Sequence, residues 1–120
     1  MITKINLGEK FKSINDFWNP RIAGELNGQH IKLVKFIGEF VWHKHDDEDE
    51  MFLVVDGSFN MELRDKTIEL SKGDFIIIPK GVEHRPVALN ESHVLLFEPS
   101  ATLNTGDATS DFTRKELEKI

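Results

Sequence analysis

From Arg21 to Phe97 the chain is written as short apolar runs separated by turn residues. Arg21 to Leu26 and Gln29 to Ile37 flank Asn27-Gly28, a pair that tolerates positive φ at both positions and so predicts a tight hairpin. Phe40 to His45 reads as a third strand, running into the polar stretch Asp46 to Asp49. Glu50 to Val55 follows and ends at Asp56-Gly57, a second tight-turn pair. Phe59 to Arg64 sets Phe59, Met61 and Leu63 against Asn60, Glu62 and Arg64, the alternation of a strand buried on one face. Thr67 to Leu70 is short, while Asp74 to Ile78 and His93 to Phe97 are continuous apolar runs stopped by Pro79 and Pro99. Helix is expected only at the ends. Leu7 to Ile14 predicts a short turn or helix. Thr113 to Lys119 predicts a helix, because Thr113 with Glu116 fits a capping box and Phe112 with Leu117 a hydrophobic staple. Many short strands with evenly spaced turns predict an all-β sandwich or barrel, here one domain over residues 1–120 with a short C-terminal helix.

Composition narrows what such a domain does. At 120 residues the chain has the length of a single domain. It carries 15 Lys+Arg against 21 Asp+Glu, a net charge of −6. Phosphate backbones and anionic lipid repel such a surface, so neither nucleic acid nor membrane is expected as a partner. There is no cysteine, which removes disulfides, thiolate nucleophiles and Cys-ligated metals together. No apolar run approaches the length of a membrane span, and Met1 to Lys10 lacks the apolar centre of a signal peptide. A cytoplasmic location is therefore expected. A ligand cavity in so small a core would remove packing, and a bound metal or a second copy would restore stability.

Three of the five histidines form a pattern with one glutamate. His43 and His45 are two apart on an expected strand and project from one face. Glu50 opens the next strand, expected as the hairpin partner, and returns its carboxylate to that face. His84 follows the turn Pro79-Lys80-Gly81. Three imidazoles and one carboxylate on one face make a site for one divalent transition metal (Fe, Mn, Ni, Zn, Co or Cu), with two coordination positions left open. The bland alternative is a barrel whose site is empty or adventitiously filled. Asp46 to Asp49 lack the spacing of a calcium loop and read as a solvated turn. His30 is expected on the surface of its hairpin and His93 at a strand edge in a structural role. Trp18 is expected to plug a barrel end. Trp42 and Lys44 fall on the face opposite the histidines, where Trp42 needs cover from a terminal segment or a partner subunit.

Gly38 to Gly57 reads G-E-F-V-W-H-K-H-D-D-E-D-E-M-F-L-V-V-D-G and resembles the first motif of the cupin superfamily, G-x5-H-x-H-x(3,4)-E-x6-G. Gly73 to Ala88, G-D-F-I-I-I-P-K-G-V-E-H-R-P-V-A, resembles the second, G-x5-P-x-G-x2-H-x3-N. Two positions depart from the pattern. Four residues rather than five separate Gly38 from His43, and Ala88 stands where Asn is frequent. The resemblance implies a double-stranded β-helix, or jelly roll, of the RmlC-like kind. It also implies metal ligands His43, His45, Glu50 and His84, and frequent homodimers.

Strand parity then gives an expected pocket lining. Val41 follows His43 and His45; Phe52 and Val54 follow Glu50; Phe59, Met61 and Leu63 form the apolar face of their strand. Either Phe75 and Ile77 or Ile76 and Ile78 add to it. A phosphosugar isomerase needs inward Arg or Lys, and none is evident: Arg85 should point away, and Arg21 and Lys35 are unforced. The expected ligand is a small neutral or singly charged oxygenated molecule that chelates through two oxygens. Three roles remain open from sequence. One is a metal-dependent enzyme, dioxygenase- or isomerase-like, with Glu50 or a metal-bound hydroxide as base. The others are a non-catalytic binding or sensing module and a purely structural barrel.

Overall fold

The computed structural model describes residues 2–120. A short helix α1 (Leu7–Lys12) precedes seven strands: β1 (Arg21–Leu26), β2 (Gln29–Glu39), β3 (Glu50–Asp56), β4 (Ser58–Leu63), β5 (Thr67–Ser71), β6 (Phe75–Ile78) and β7 (His84–Pro99). All pairings between these strands are antiparallel. The Asn27-Gly28 turn joins β1 to β2 with both residues at positive φ, 51° and 76°, as the hairpin requires. Asn6 caps α1 by accepting from the Glu9 amide.

The path β1-β2-β7-β3-β6 makes one surface, and β5-β4 joins it through β7. The sixteen-residue β7 makes this possible. Its first part, His84 to Val87, pairs with β4, and its second part, His93 to Phe97, pairs with β3 while β2 runs along both. The core lies between these surfaces, with Val34, Phe36, Phe52, Val54, Phe59, Met61, Val94 and Leu96 buried together. A smaller cluster on the outer side docks Phe11 and Ile14 against Ala23 and Leu33.

Four expectations require correction. The segment Phe40 to His45 is not a regular strand; it holds one isolated bridge, His43 to His84. Phe40 N–H donates to Pro86 O, but Pro86 has no N–H to return, so the ladder cannot continue. Consequently Glu50 does not begin a hairpin partner of that segment, since β3 pairs with β6 and β7. The last strand starts at His84 rather than His93; Pro86 hid the buried alternation of His84, Pro86 and Ala88. Finally, Thr113 to Lys119 is not helical. The Thr113 hydroxyl accepts from Ser110 N–H, and Asn104 Oδ1 takes the Arg114 N–H. Glu118 O and the Ile120 N–H bond to Ile22 instead, extending the tail beside β1 in a parallel bridge.

Candidate metal centre

The site begins with a backbone bridge. His43 N–H donates to His84 O (3.1 Å) and His84 N–H to His43 O (2.9 Å), so two residues far apart in sequence face each other directly. Gly81 N–H donates to His45 O (2.7 Å), fixing the Pro79-Lys80-Gly81 turn beneath the second histidine. Glu50 is the first residue of β3, opposite Ile78 of β6. The outcome is that His43, His45, Glu50 and His84 are all buried, each offering a ligand atom within 4.8 Å of the others.

Tautomers follow from the local bonds. His43 Nδ1 lies 2.9 Å from Val41 O and His84 Nδ1 lies 2.9 Å from Val82 O. Each Nδ1 therefore carries the proton and donates it, which leaves both Nε2 lone pairs facing inward. Glu50 Oε1 sits 3.3 Å from His45 Nε2 and 3.4 Å from His84 Nε2. Yet His45 Nε2, His84 Nε2 and Glu50 Oε1 lack a hydrogen-bond partner while fully buried. Unsatisfied buried polar atoms are costly. Two donors each ~2.1 Å from one ion at right angles stand roughly 3 Å apart, close to the spacing found. The donor set fits a first-row transition metal.

Charge in the site runs deeper than these four residues. Glu98 on β7 and Lys32 on β2 are wholly buried, and Lys32 Nζ donates to Glu98 Oε1 at 2.9 Å and to Thr102 O at 3.3 Å. Burial raises the Glu98 carboxyl well above the ordinary range, with the adjacent Glu50 charge adding to it. Burial opposes ionisation of Glu50 too, but the neighbouring Glu98 carboxyl and the His45 and His84 imidazoles outweigh it and hold its pKa well below the usual carboxylate range. Burial acts against a charge on His45, and the Glu50 carboxylate more than compensates, raising its pKa. For His43, burial and then the His84 imidazole depress the pKa to about 4, so its ring is neutral and a competent ligand near pH 7.

The cavity at this site is small, ≈ 20 Å³, room for about one water. Its wall includes Trp18, Phe36, Phe40, His43, Glu50, Phe52, Leu96 and Asn104, with neither Arg nor Lys. Of the expected lining, Phe52 is on this wall; Val54, Phe59 and Met61 are in the packed core, and Val41 and Leu63 pack half-buried against it. Ile76 and Ile78 turn inward, whereas Phe75 and Ile77 are exposed. Trp18 stacks between Phe36 and Phe40 and donates Nε1–H to Ile37 O. Phe112 covers Phe40 at 5.4 Å between ring centres.

The remaining residues singled out from sequence lie as follows. Arg85 bonds Glu62, Arg21 bonds Asp16, and Lys35 lies 3.6 Å from Glu91. The Arg64 guanidinium covers Trp42 at 3.9 Å, with Arg85 beyond it, so cations rather than a terminal segment shield that ring. His93 stacks on Phe11 and contacts Glu91. His30 is half-buried, 3.5 Å from Glu25.

Sequence reasoning missed Lys32, Glu98 and the segment after β7. Parity was the available signal for the pair: Lys32 shares a face with Val34 and Phe36, and Glu98 with Val94 and Leu96. No comparable signal marked Gly106. A Cβ there would lie 2.2 Å from Lys44 O and 3.1 Å from His43 Cδ2, and its φ is +55°. Asp107 N–H donates to Lys44 O while its Oδ1 accepts from Lys44 N–H. Gly106 and Asp107 are thus strapped directly onto the segment that carries His43 and His45.

The fold and the clustered ligand types agree with what comparison finds. The cupin domain family, Cupin_2, matches residues 34–98, and the chain belongs to that family. Among solved structures, a cupin-2 domain protein from Shewanella frigidimarina is 46% identical with a TM-score of 0.78, covering 79% of this chain and 93% of its own. A protein from Neisseria meningitidis is 30% identical with a TM-score of 0.75, covering 82% and 100%. Among curated proteins, the uncharacterized protein YdbB of Bacillus subtilis is 42% identical over 62 residues, 51% of this chain and 55% of that protein. Acireductone dioxygenase of Drosophila pseudoobscura pseudoobscura is 47% identical, covering 64% of this chain and 52% of the relative. The chain spans about half the length of these curated relatives. Among the described residues no helix is long and apolar enough to cross a membrane.

Proposed function

We propose that this cupin is a metal-dependent enzyme of the dioxygenase type, acting on a small oxygenated molecule inside a jelly-roll barrel. His43, His45, Glu50 and His84 would hold one divalent transition metal, drawn from Fe, Mn, Ni, Zn, Co and Cu. The observation that carries this is the convergence of buried, partnerless Nε2 and Oε1 atoms on one point. The likeness to proteins named acireductone dioxygenase supports an oxygenated substrate. The bound metal would act as a Lewis acid or as an O₂-activating centre. The chain's own residues orient and dry the site. Val41 O and Val82 O fix the imidazole tautomers, Trp18, Phe40 and Phe112 exclude water, and Glu50 is the candidate base. The cationless wall favours a neutral or singly charged substrate over a sugar phosphate. A cytoplasmic homodimer completes the reading. Phe75 and Ile77 leave an apolar face on the border strand β6, which suits pairing with a second copy.

The test is metal analysis of untagged protein from metal-defined medium, followed by O₂ uptake with enediols, diketones, catechols and small hydroxy acids. Near-stoichiometric metal, lost in His43→Ala, and uptake with one substrate class are expected. Protein that never retains metal would refute the assignment. The one-water cavity favours a second reading, a binding or sensing module without turnover. Full metal occupancy with no uptake on any substrate would select it.

A further inference from the structure

A second cavity, ≈ 240 Å³, lies between the β1–β2 hairpin and the chain beyond β7. It shares no lining residue with the metal cavity. Its wall contains His30, Lys32, Arg114 and Lys115 but no Asp or Glu, in a chain whose net charge is −6. Neither Arg114 nor Lys115 has a carboxylate partner among the described residues. Arg114 spends one guanidinium nitrogen on Asp111 O and Thr113 O and keeps its other nitrogens free of protein partners. Lys32 uses two of its three N–H groups, on Glu98 and Thr102 O. His30 Nδ1 is buried without a partner. Ile22, Ala101, Leu103 and Leu117 add apolar surface, with Ser100 and Thr102 completing the wall.

We infer that this cavity is a binding site for a small organic oxyanion, a carboxylate or phosphate on a short carbon skeleton. Arg114 presents a planar fork suited to two oxygens of the anion. Lys115 adds a point charge, and Ile22, Leu103 and Leu117 receive the carbon skeleton. The size is adequate, since several water volumes fit where the metal cavity admits one. The placement is independent of any metal.

The full chain is titrated with sodium lactate and, separately, with inorganic phosphate at constant ionic strength. Amide shifts in ¹H–¹⁵N spectra localise the binding, and calorimetry gives its strength. Saturable shifts at His30, Ala101, Arg114 and Lys115 are expected with at least one anion, and the stronger of the two identifies carboxylate or phosphate as the recognised group. R114Q/K115Q should weaken binding by about tenfold or more, the loss of one to two charge-assisted hydrogen bonds. K115E, which leaves the Arg114 tethers intact, should also weaken it and guards against a folding artefact. Absence of saturable binding, shifts centred on His43 and His84, or wild-type affinity in both K115E and the double variant would each overturn the inference.

Discussion

Lys32, Glu98 and Glu50 form a line of buried charge in which each residue depends on the next. Lys32 brings its amine into the core and donates to Glu98; burial and the neighbouring Glu50 charge raise the Glu98 pKa, while that of Glu50 is held low beside the histidines. The two partners of this buried bond should therefore respond differently. Glu98→Leu leaves a buried ammonium with only Thr102 O and should cost about 3–5 kcal/mol in urea denaturation. Lys32→Met leaves a carboxyl already able to hold a proton and should cost clearly less. K32M/E98L should recover most of the loss, because two apolar groups replace two buried polar ones. His43 supplies the pH dependence. Its ring has a pKa of about 4 folded, against 6.5 for the unperturbed group. Above pH 6.5 it is neutral in both states and contributes no slope. Between pH 6.5 and 4 the unfolded chain binds a proton that the folded ring refuses, so stability of the metal-free protein should fall by about 3 kcal/mol over that window. Urea midpoints at half-unit pH steps measure it, and H43Q should flatten the profile.

At the level of elements, strands flanked by glycine, asparagine or proline were legible to within a residue or two. β1 begins and ends where its hairpin pair and Arg21 put it, and β3, β4 and β6 follow their apolar runs. Legibility failed where partners distant in sequence decide the conformation. Pro86 breaks the ladder opposite Phe40, and Ser110 and Thr105 engage the Thr113 hydroxyl that the expected helix needed as its cap. The cluster of candidate ligands was readable for the opposite reason. Its residue types and spacings are set by donor chemistry, which leaves few substitutes, while Lys32 and Glu98 look like ordinary surface charges until parity is applied. The parity of β6, open from sequence, has a further consequence. With Ile76 and Ile78 inside, Phe75 and Ile77 face outward on a border strand. If a second copy covers them, Ile77→Lys should convert a dimer to a monomer in light scattering while leaving the far-ultraviolet circular dichroism unchanged. A wild-type monomer at micromolar concentration would contradict that.

Over the whole molecule, the barrel supplies the donors and the segment after β7 closes over them. Gly106 seats that segment against Lys44 and His43, and Phe112 lies over Phe40. Removing metal should then require an opening step. The rate of extraction by a chelator should rise with chelator concentration and level off, as expected when local opening limits the process. Gly106→Ala forces a methyl into Lys44 O at a positive φ. It should destabilise the protein by about 1–3 kcal/mol and raise the plateau rate. A rate that stays proportional to chelator concentration in the wild type would remove the cover from the argument.

The cover also follows the donors in the order of synthesis. A ribosome joins His43, His45, Glu50 and His84 to the chain before it adds Asn104, Gly106 or Phe112. Until residues 104–112 are added and seated, the four candidate ligands would stand uncovered, and any ion they take would have a path that the finished fold narrows.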